Sequence, residues 1–600
     1  MTRDHHDTAD VRLLASYLRP ERRTLAALVA ILVVAMLLPL AGPLLVGRFV
    51  DAALAGDDTA VLARLAVAFL LCTLTGDALQ LVVTWLSVRL AWRVGNSLRT
   101  DLCRHALGLD LDWHADHSPG QLIERIDGDI DAVTRFSSAA ILHLAGNVLL
   151  LVGVLVVTIA IDWRAAVVVS VSVSAAVTVM ILLRRAAVPY YDAEREVQSQ
   201  LYGDLEERLG GLEDLRANGA GRWATHRLHH NSARWWLASR RASLRGDGAL
   251  SLAGMIFATG TVVMLALGVW LARRGDITVG TVIVLVRISD LLADPLWRVA
   301  EQLSEAQRAV AGTRRAARLL SDRSALVDGQ GAVLPAGALD AELRSVTFSY
   351  GTGHPVLDGV DLLVPAGTSV GIVGRTGSGK TSVGRLLARL WDTEEGQVLI
   401  GGHDIRTLKM ADLRRRTAVV TQDVELFRAT VRDNLTIFGA LEDSDEALRH
   451  ALGSVGLDPW LATLEHGLDQ VIDGAADLSA GEAQLLTFAR VLLADPALVI
   501  LDEASSRLDP FTEAKLEKAT TALLQGRTAV IIAHRLSTLD DVDSICVLDR
   551  GRVVEHAPRQ QLVADPTSRF ARLVAQSNAA DHDPSAGSAE GAVPTPEVIS

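Results

Sequence analysis

Gly374-Arg-Thr-Gly-Ser-Gly-Lys-Thr381 places three glycines, one lysine and three hydroxyls within eight residues. Glycines let neighbouring backbone N–H groups turn towards one point, and such a cluster of donors holds phosphate oxygens. Lys380 at this spacing reaches the β- and γ-phosphates of a nucleoside triphosphate, and the Thr381 hydroxyl suits Mg2+. The lysine also stands out by rarity. The chain has only Lys380, Lys409, Lys515 and Lys518 among its 58 Lys and Arg residues. Downstream, Ala497-Leu-Val-Ile-Leu-Asp502 is an apolar run ending in a carboxylate, with Glu503 next. Alone, that pair is a weak signal. After a phosphate loop, Asp502 suits the Mg2+ shell and Glu503 suits the polarisation of an attacking water. Val530-Ile-Ile-Ala-His534 is a third such run. A lone histidine is most often structural, but the end of a strand is where α/β sheets bind ligands.

Those residues need a scaffold, and the surrounding sequence supplies one. Ser369–Val373 is a buried-strand pattern running into the glycine loop, and Ser382–Leu390 is a helical run leaving it. Strand, loop and helix in that order are the context a phosphate loop requires. From about Ala341 strand and helix patterns alternate, which predicts a parallel sheet. An ATP-binding α/β domain is thus expected over 341–576. Residues 321–340 contain Gly, Pro and Ala without a long apolar run and read as a linker. Residues 577–600 are rich in Ala, Ser, Pro, Asp and Glu, a composition that predicts disorder.

The first half has a different character. Half of the chain is hydrophobic but only 4% is aromatic, and the apolar excess lies before residue 300. Uncharged runs of about 20 residues cross a bilayer as helices. Six spans are expected, at about 24–47, 65–88, 137–161, 165–183, 248–272 and 277–297, within a membrane domain of residues 24–320. Arg12, Arg19, Arg22 and Arg23 precede the first span, so residues 1–23 are expected to be cytoplasmic. The long loops after the second and fourth spans are arginine-rich and fall on the same side. The loop after the first span is short and acidic, with Asp51, Asp57 and Asp58; Arg273 and Arg274 locally break the rule. No secretory signal is expected, because the first apolar run is too long for one. Cys72, Cys103 and Cys546 are too scattered for a disulfide framework or a metal site. A net charge of −13 argues against nucleic acid as a partner.

Ionisable residues inside spans are costly and usually face a cavity or a partner. Arg287, Asp290 and Asp294 share one helix face at i, i+3 and i+7. Either they form a polar stripe on a translocation path, or they are an internal ion pair near the membrane surface. Asp77, His143 and Asn147 are weaker candidates of the same kind.

Leu478-Ser-Ala-Gly-Glu-Ala-Gln484, just before the Asp502 strand, resembles the signature sequence of ABC ATPases, usually Leu-Ser-Gly-Gly-Gln. Gln422 resembles the family's Q-loop glutamine, Tyr350 the aromatic that stacks on adenine, and Asp509 of Ser506-Arg-Leu-Asp509 its D-loop. His534 matches the switch histidine. All stand in family order, and six spans with long cytoplasmic loops resemble the exporter type. The implied protein is a multidomain membrane protein: an all-α six-helix transmembrane domain followed by an α/β P-loop ATPase domain. The resemblance implies ATP held by Tyr350, Gly374, Arg375, Thr376, Gly377, Ser378, Gly379, Lys380 and Thr381. It implies Mg2+ at Thr381, Asp502 and Gln422, and catalysis by Glu503, His534, Gln422 and Lys380. Ser479, Ala480, Gly481 and Glu482 would contact the nucleotide of a partner chain. Coupling helices would lie in 113–133 and 209–223.

A fused half-machine of this type dimerises in the cell membrane. Its expected work is ATP-driven export of an amphipathic small molecule, lipid or secondary metabolite. An exporter-fold importer of the siderophore kind, or a membrane regulator that only binds ATP, are the alternatives. Ala480 and Glu482 depart from the family's glycine and glutamine, whereas Glu503 and His534 are intact. That combination resembles the consensus half of heterodimeric exporters, so a different half-transporter is the expected partner, ahead of a second copy.

Overall fold

The computed structural model describes residues 13, 15–139, 145–351, 353–422, 424–441, 444–473, 477–502, 510–533 and 536–582. The chain divides into two units: residues 1–107 with 119–322, and residues 108–118 with 323–600.

The first unit is helical. α1 (Arg22–Leu37) and α2 (Ala41–Ala55) are separated by a 3-10 turn, Leu38–Leu40. Pro39 and Pro43 account for the break. Neither has an N–H, so the carbonyls of Ala35 and Pro39 lose their α-helical partners. The Ala41 N–H turns back to the Leu38 and Pro39 carbonyls instead. α3 (Thr59–Leu107) follows, and its Cys72 thiol lies 3.4 Å from the Leu38 carbonyl oxygen. Then come α4 (Gly146–Ile161), α5 (Trp163–Gly210), α6 (Gly221–Arg274), α7 (Val279–Asp290) and α8 (Ala293–Ser321).

Among the described residues four helical stretches are long and apolar enough to cross a membrane: Ala15–Ala55, Thr59–Leu107, Trp163–Gly210 and Gly221–Arg274. The 49 residues of α3 extend about 70 Å at 1.5 Å per residue, more than twice a bilayer core of about 30 Å. α3 must therefore project beyond the membrane. α4 is apolar but has 16 residues; residues 140–144 before it, with His143, lie outside the described residues. The stretch 277–297 is not one helix. It divides at Leu291–Leu292, where Pro295 has no N–H to return to the Leu291 carbonyl. Leu81, Met255 and Val262 are each about two-thirds exposed or more, at 72%, 66% and 65%. Such faces suit lipid rather than water.

Two glycines let α2 and α7 touch by their backbones. A Cβ on Gly47 would meet the Gly280 carbonyl oxygen at 2.9 Å, and one on Gly280 would meet the Asp51 carboxylate at 2.6 Å. Asp51 binds the start of α7 there. It accepts from the Gly280 N–H at 2.8 Å and from the Thr278 hydroxyl at 2.6 Å.

Among its described residues the second unit holds three sheets. The largest has the order β12-β11-β3-β10-β9-β6, and a smaller antiparallel one joins β2 (Leu357–Val364), β1 (Ala341–Phe348), β4 (Glu395–Ile400) and β5 (His403–Asp404) in that order. In the first, β6 (Thr417–Val420), β9 (Leu498–Asp502), β10 (Thr528–Ile532), β3 (Ser369–Val373) and β11 (Ser544–Asp549) run parallel, and β12 (Arg552–Pro558) is antiparallel. Both faces are covered. Leu498, Ile500, Val530 and Ile532 belong to one apolar cluster, while Val499, Leu501 and Ile531 belong to the other. That is why these strands read as unbroken apolar runs rather than as alternating ones. The short helix Leu111–Ala115 belongs to this unit. Asp110 caps it through the Trp113 N–H at 2.9 Å and also accepts from the Ala325 N–H at 2.6 Å. Burial raises the Asp110 pKa, but hydrogen bonds from Trp113, Ala325 and Ser324 outweigh it and hold the carboxyl below its ordinary range.

Candidate functional site

β3 ends at Val373 and α9 (Lys380–Leu387) begins seven residues later, so the glycine loop bridges a strand end and a helix start. Two of its glycines are required by conformation. Gly377 and Gly379 have φ of 80° and 101°, in the left-handed region that other residues avoid. At Gly379 a Cβ would also meet Leu357 Cδ2 at 2.6 Å. Lys380 folds back over the loop. Its Nζ donates to the Gly374 carbonyl at 2.8 Å and to the Arg375 carbonyl at 3.1 Å. Burial pushes Lys380 below the ordinary lysine range, and the Asp502 carboxylate opposes that shift. Ser378 Oγ is buried with no hydrogen-bond partner.

The sheet order brings the scattered motifs to one edge. β10 lies between β3 and β9, and Ile532 pairs with Asp502. Asp502 is 7% exposed at the end of β9. The phosphate loop and the carboxylate therefore lie two strands apart at the same carboxyl edge. An orphaned hydroxyl, a buried carboxylate and a desolvated lysine form a donor set that fits phosphate with Mg2+. Thr381 is the second residue of α9, half-buried beside Lys380. Gln422 is exposed, two residues past β6. Glu503, Asp509 and His534 lie outside the described residues.

Tyr350 stands beside this edge with partners that its sequence did not announce. Its ring meets Phe348 and Trp391 edge-on, with centroids 4.8 and 5.4 Å apart. Its hydroxyl lies 3.1 Å from Ser382 Oγ and accepts from Arg385 at 3.2 Å. The Arg385 guanidinium lies over the Trp391 ring, 5.4 Å from its centroid. Ser382 and Arg385 are three apart on α9. That spacing was the available signal for a second layer of site residues behind the loop.

The signature residues begin α10 (Ala480–Ala494), with Ser479 as its cap. Here the expected geometry changes. Glu482 does not project freely; its carboxylate Oε2 accepts from the Ser479 N–H at 2.9 Å and from the Ser479 hydroxyl at 2.7 Å. The Glu482 N–H donates to Ser479 Oγ at 3.3 Å, which closes a capping box. Gly481 is buried, and Ala480 is exposed.

In the first unit, Asp77 of α3 and Arg287 and Asp290 of α7 line one cavity of about 350 Å3. Among the described residues none of the three side chains has a hydrogen bond or ion pair. Arg287 and Asp290 do not pair with each other. Asn147 is half-buried in α4 and away from this cavity. The side chain of Asp294 lies outside the described residues.

Comparison with known proteins agrees with this division. Residues 25–296 match the model of the ABC transporter transmembrane region, and residues 357–506 match that of the ABC transporter. The chain is 31% identical over 563 residues to the ABC transporter ATP-binding protein YknV of Bacillus subtilis, covering 92% of both. It is 33% identical over 569 residues to the multidrug efflux ATP-binding/permease protein Rv0194 of Mycobacterium tuberculosis, of which it spans 46%. With the ATP-dependent lipid A-core flippase of Hahella chejuensis it shares 29% over 486 residues, covering 79% of this chain and 81% of the other. Its fold matches a bacterial Atm1-family ABC exporter with ATP bound, with a TM-score of 0.77 at 23% identity, over 92% of this chain and 98% of that one.

Proposed function

The chain belongs to the ABC transporter family, as an exporter-type half-transporter with its own ATPase domain, and on that premise we propose that it drives an amphipathic compound across the cell membrane by alternating access. The observation that carries this reading is the joint edge of β3 and β9, where Lys380 and Asp502 meet the phosphate loop. It stands in the same polypeptide as helices able to span a bilayer.

In this reading the chain spans the membrane six times, with its N-terminus and ATPase domain in the cytoplasm. Lys380 and the loop N–H groups bind the β- and γ-phosphates of ATP, and Tyr350 packs on the adenine. Thr381, Asp502 and Gln422 would hold Mg2+, which supplies charge neutralisation at the phosphates. Glu503 polarises the water that attacks the γ-phosphate, and His534 contacts that phosphate. Ser479 and Gly481 reach a nucleotide bound by a partner half-transporter, with Asp509 beside it. The lipid-flipping and drug-efflux activities in the names of two relatives favour an amphipathic cargo over an ion.

The experiment is ATP-dependent uptake into inverted vesicles, with Lys380→Ala and Glu503→Gln beside the wild type. Lys380→Ala is expected to weaken ATP binding, because it removes the main point charge on the phosphates. Glu503→Gln is expected to retain ATP and lower turnover by at least about 100-fold, the lower end of the range for a lost general base. Wild-type turnover in Glu503→Gln would overturn the assignment. Uptake in the reverse direction would favour the importer alternative.

A further inference from the structure

We propose that Arg385 is a positioning residue for nucleotide binding: its guanidinium holds Tyr350 in the orientation that receives the adenine, and so sets how much of the affinity for ATP comes from the base. The inference rests on the reading that Tyr350 packs on the adenine and adds to it the group that holds the ring.

Tyr350 needs such a group, because no strand fixes it. It lies two residues past the end of β1, in a loop that closes where the Val356 N–H returns to the Phe348 carbonyl at 2.8 Å. Gly351 follows it with φ of 67°, in the left-handed region. The tyrosine is 36% exposed. Phe348 and Trp391 meet its ring nearly at right angles, with interplanar angles of 81° and 89°. Edge contacts of that kind are modest, and they do not restrain the hydroxyl end.

The hydroxyl is where the restraint lies. Arg385 Nη1 donates to it at 3.2 Å, and Ser382 Oγ lies 3.1 Å away. With one lone pair taken by Arg385, the hydroxyl proton is available to Ser382. Ser382 is 4% exposed in the first turn of α9, two residues after Lys380. The ring is thereby tied to the helix that carries the phosphate-binding lysine. The Arg385 guanidinium also lies 5.8 Å from the ring centroid of Tyr350 and 5.4 Å from that of Trp391, within reach of both ring quadrupoles. Among the described residues no carboxylate pairs with it. An exposed arginine adds little through charge alone. This one uses its donor and its planar face on the aromatic wall instead. Holding the ring before ATP arrives removes an ordering penalty from binding.

The test uses the full transporter, the chain with its partner half, in nanodiscs. Displacement of ribose-labelled MANT-ATP is measured with ATP and with tripolyphosphate, which has the phosphates but no base. ATP hydrolysis is followed in parallel. Arg385→Met is expected to raise the Kd and KM for ATP about three- to tenfold, with kcat and the tripolyphosphate Kd unchanged. Tyr350→Phe keeps the ring and removes the hydroxyl, so it should do the same. The double variant should lose no more than either change alone. Equal weakening of ATP and tripolyphosphate in Arg385→Met would overturn the proposal, because Arg385 would then support the phosphate loop. Additive losses in the double variant would overturn it as well, as would an unchanged Kd for ATP in Arg385→Met. An unchanged Kd for ATP in Tyr350→Ala would instead refute the packing of Tyr350 on adenine, so the two failures are told apart.

Discussion

At the residue scale, one substitution in the signature changes more than a charge. Ser479 is the residue that the family directs at a partner's nucleotide. Here its hydroxyl and N–H both donate to Glu482. The sequence exposed the departure from glutamine but suggested a carboxylate projecting at a phosphate. The fold directs that carboxylate at its own helix start, where N–H groups stabilise an anion. Glu482→Gln should therefore act by loosening the hold on Ser479, since an amide oxygen accepts more weakly than a carboxylate. It is expected to tighten ATP at the partner-held site several-fold, measured by nucleotide trapping in the assembled transporter. It should also lower the stability of the isolated ATPase domain by about 0.5–1 kcal/mol, because a charged cap is replaced by a neutral one. Unchanged trapping would mean that Ser479 does not contact that nucleotide. Lys380 was legible from its motif and rarity. Trp391 was not, because a lone tryptophan carries no spacing that separates it from ordinary packing residues, and the i, i+3 spacing of Ser382 and Arg385 is too common on helices to single them out.

Among the elements, the apolar strands and the longer helices were readable because their patterns are periodic or unbroken. The interruptions were harder to read. Pro39 and Pro43 lie inside an uncharged run that reads as one span, yet the helix turns 3-10 there. Composition over a window is blind to a missing N–H. The Gly47–Gly280 approach was equally hidden, since isolated glycines in apolar helices are common. Its tightness makes a clear prediction. A methyl group at Gly280 must displace the Gly47 carbonyl or the Asp51 carboxylate, so Gly280→Ala is expected to destabilise the transporter by about 1–3 kcal/mol. A lowered midpoint of thermal aggregation in detergent would register it. Gly268→Ala gives a useful contrast, because the atoms nearest its Cβ belong to the Val282 side chain, the first at 2.9 Å, and a side chain can rotate away. Equal effects would mean that the backbone contact is not rigid.

For the whole molecule, the division into a helical half and a sheet-containing half was plain from hydropathy alone. The need for a second half-transporter was legible only through the resemblance to exporters. The chain purified alone is expected to assemble poorly and hydrolyse ATP slowly, with activity rising at least about tenfold when a half-transporter with an unaltered signature is added. A stable homodimer with robust, substrate-stimulated ATPase would instead favour two copies. The two ends of the ATPase machinery share one trait. Lys380 spends its protons on the carbonyls of Gly374 and Arg375, and Ser479 spends its donors on Glu482. In the proposed reading each is the group a phosphate claims, so the protein would compete with its own ligand. Nucleotide affinity in such a machine is an exchange constant, set by the difference between the bonds made and the bonds surrendered. It is therefore adjustable by residues that never touch the nucleotide.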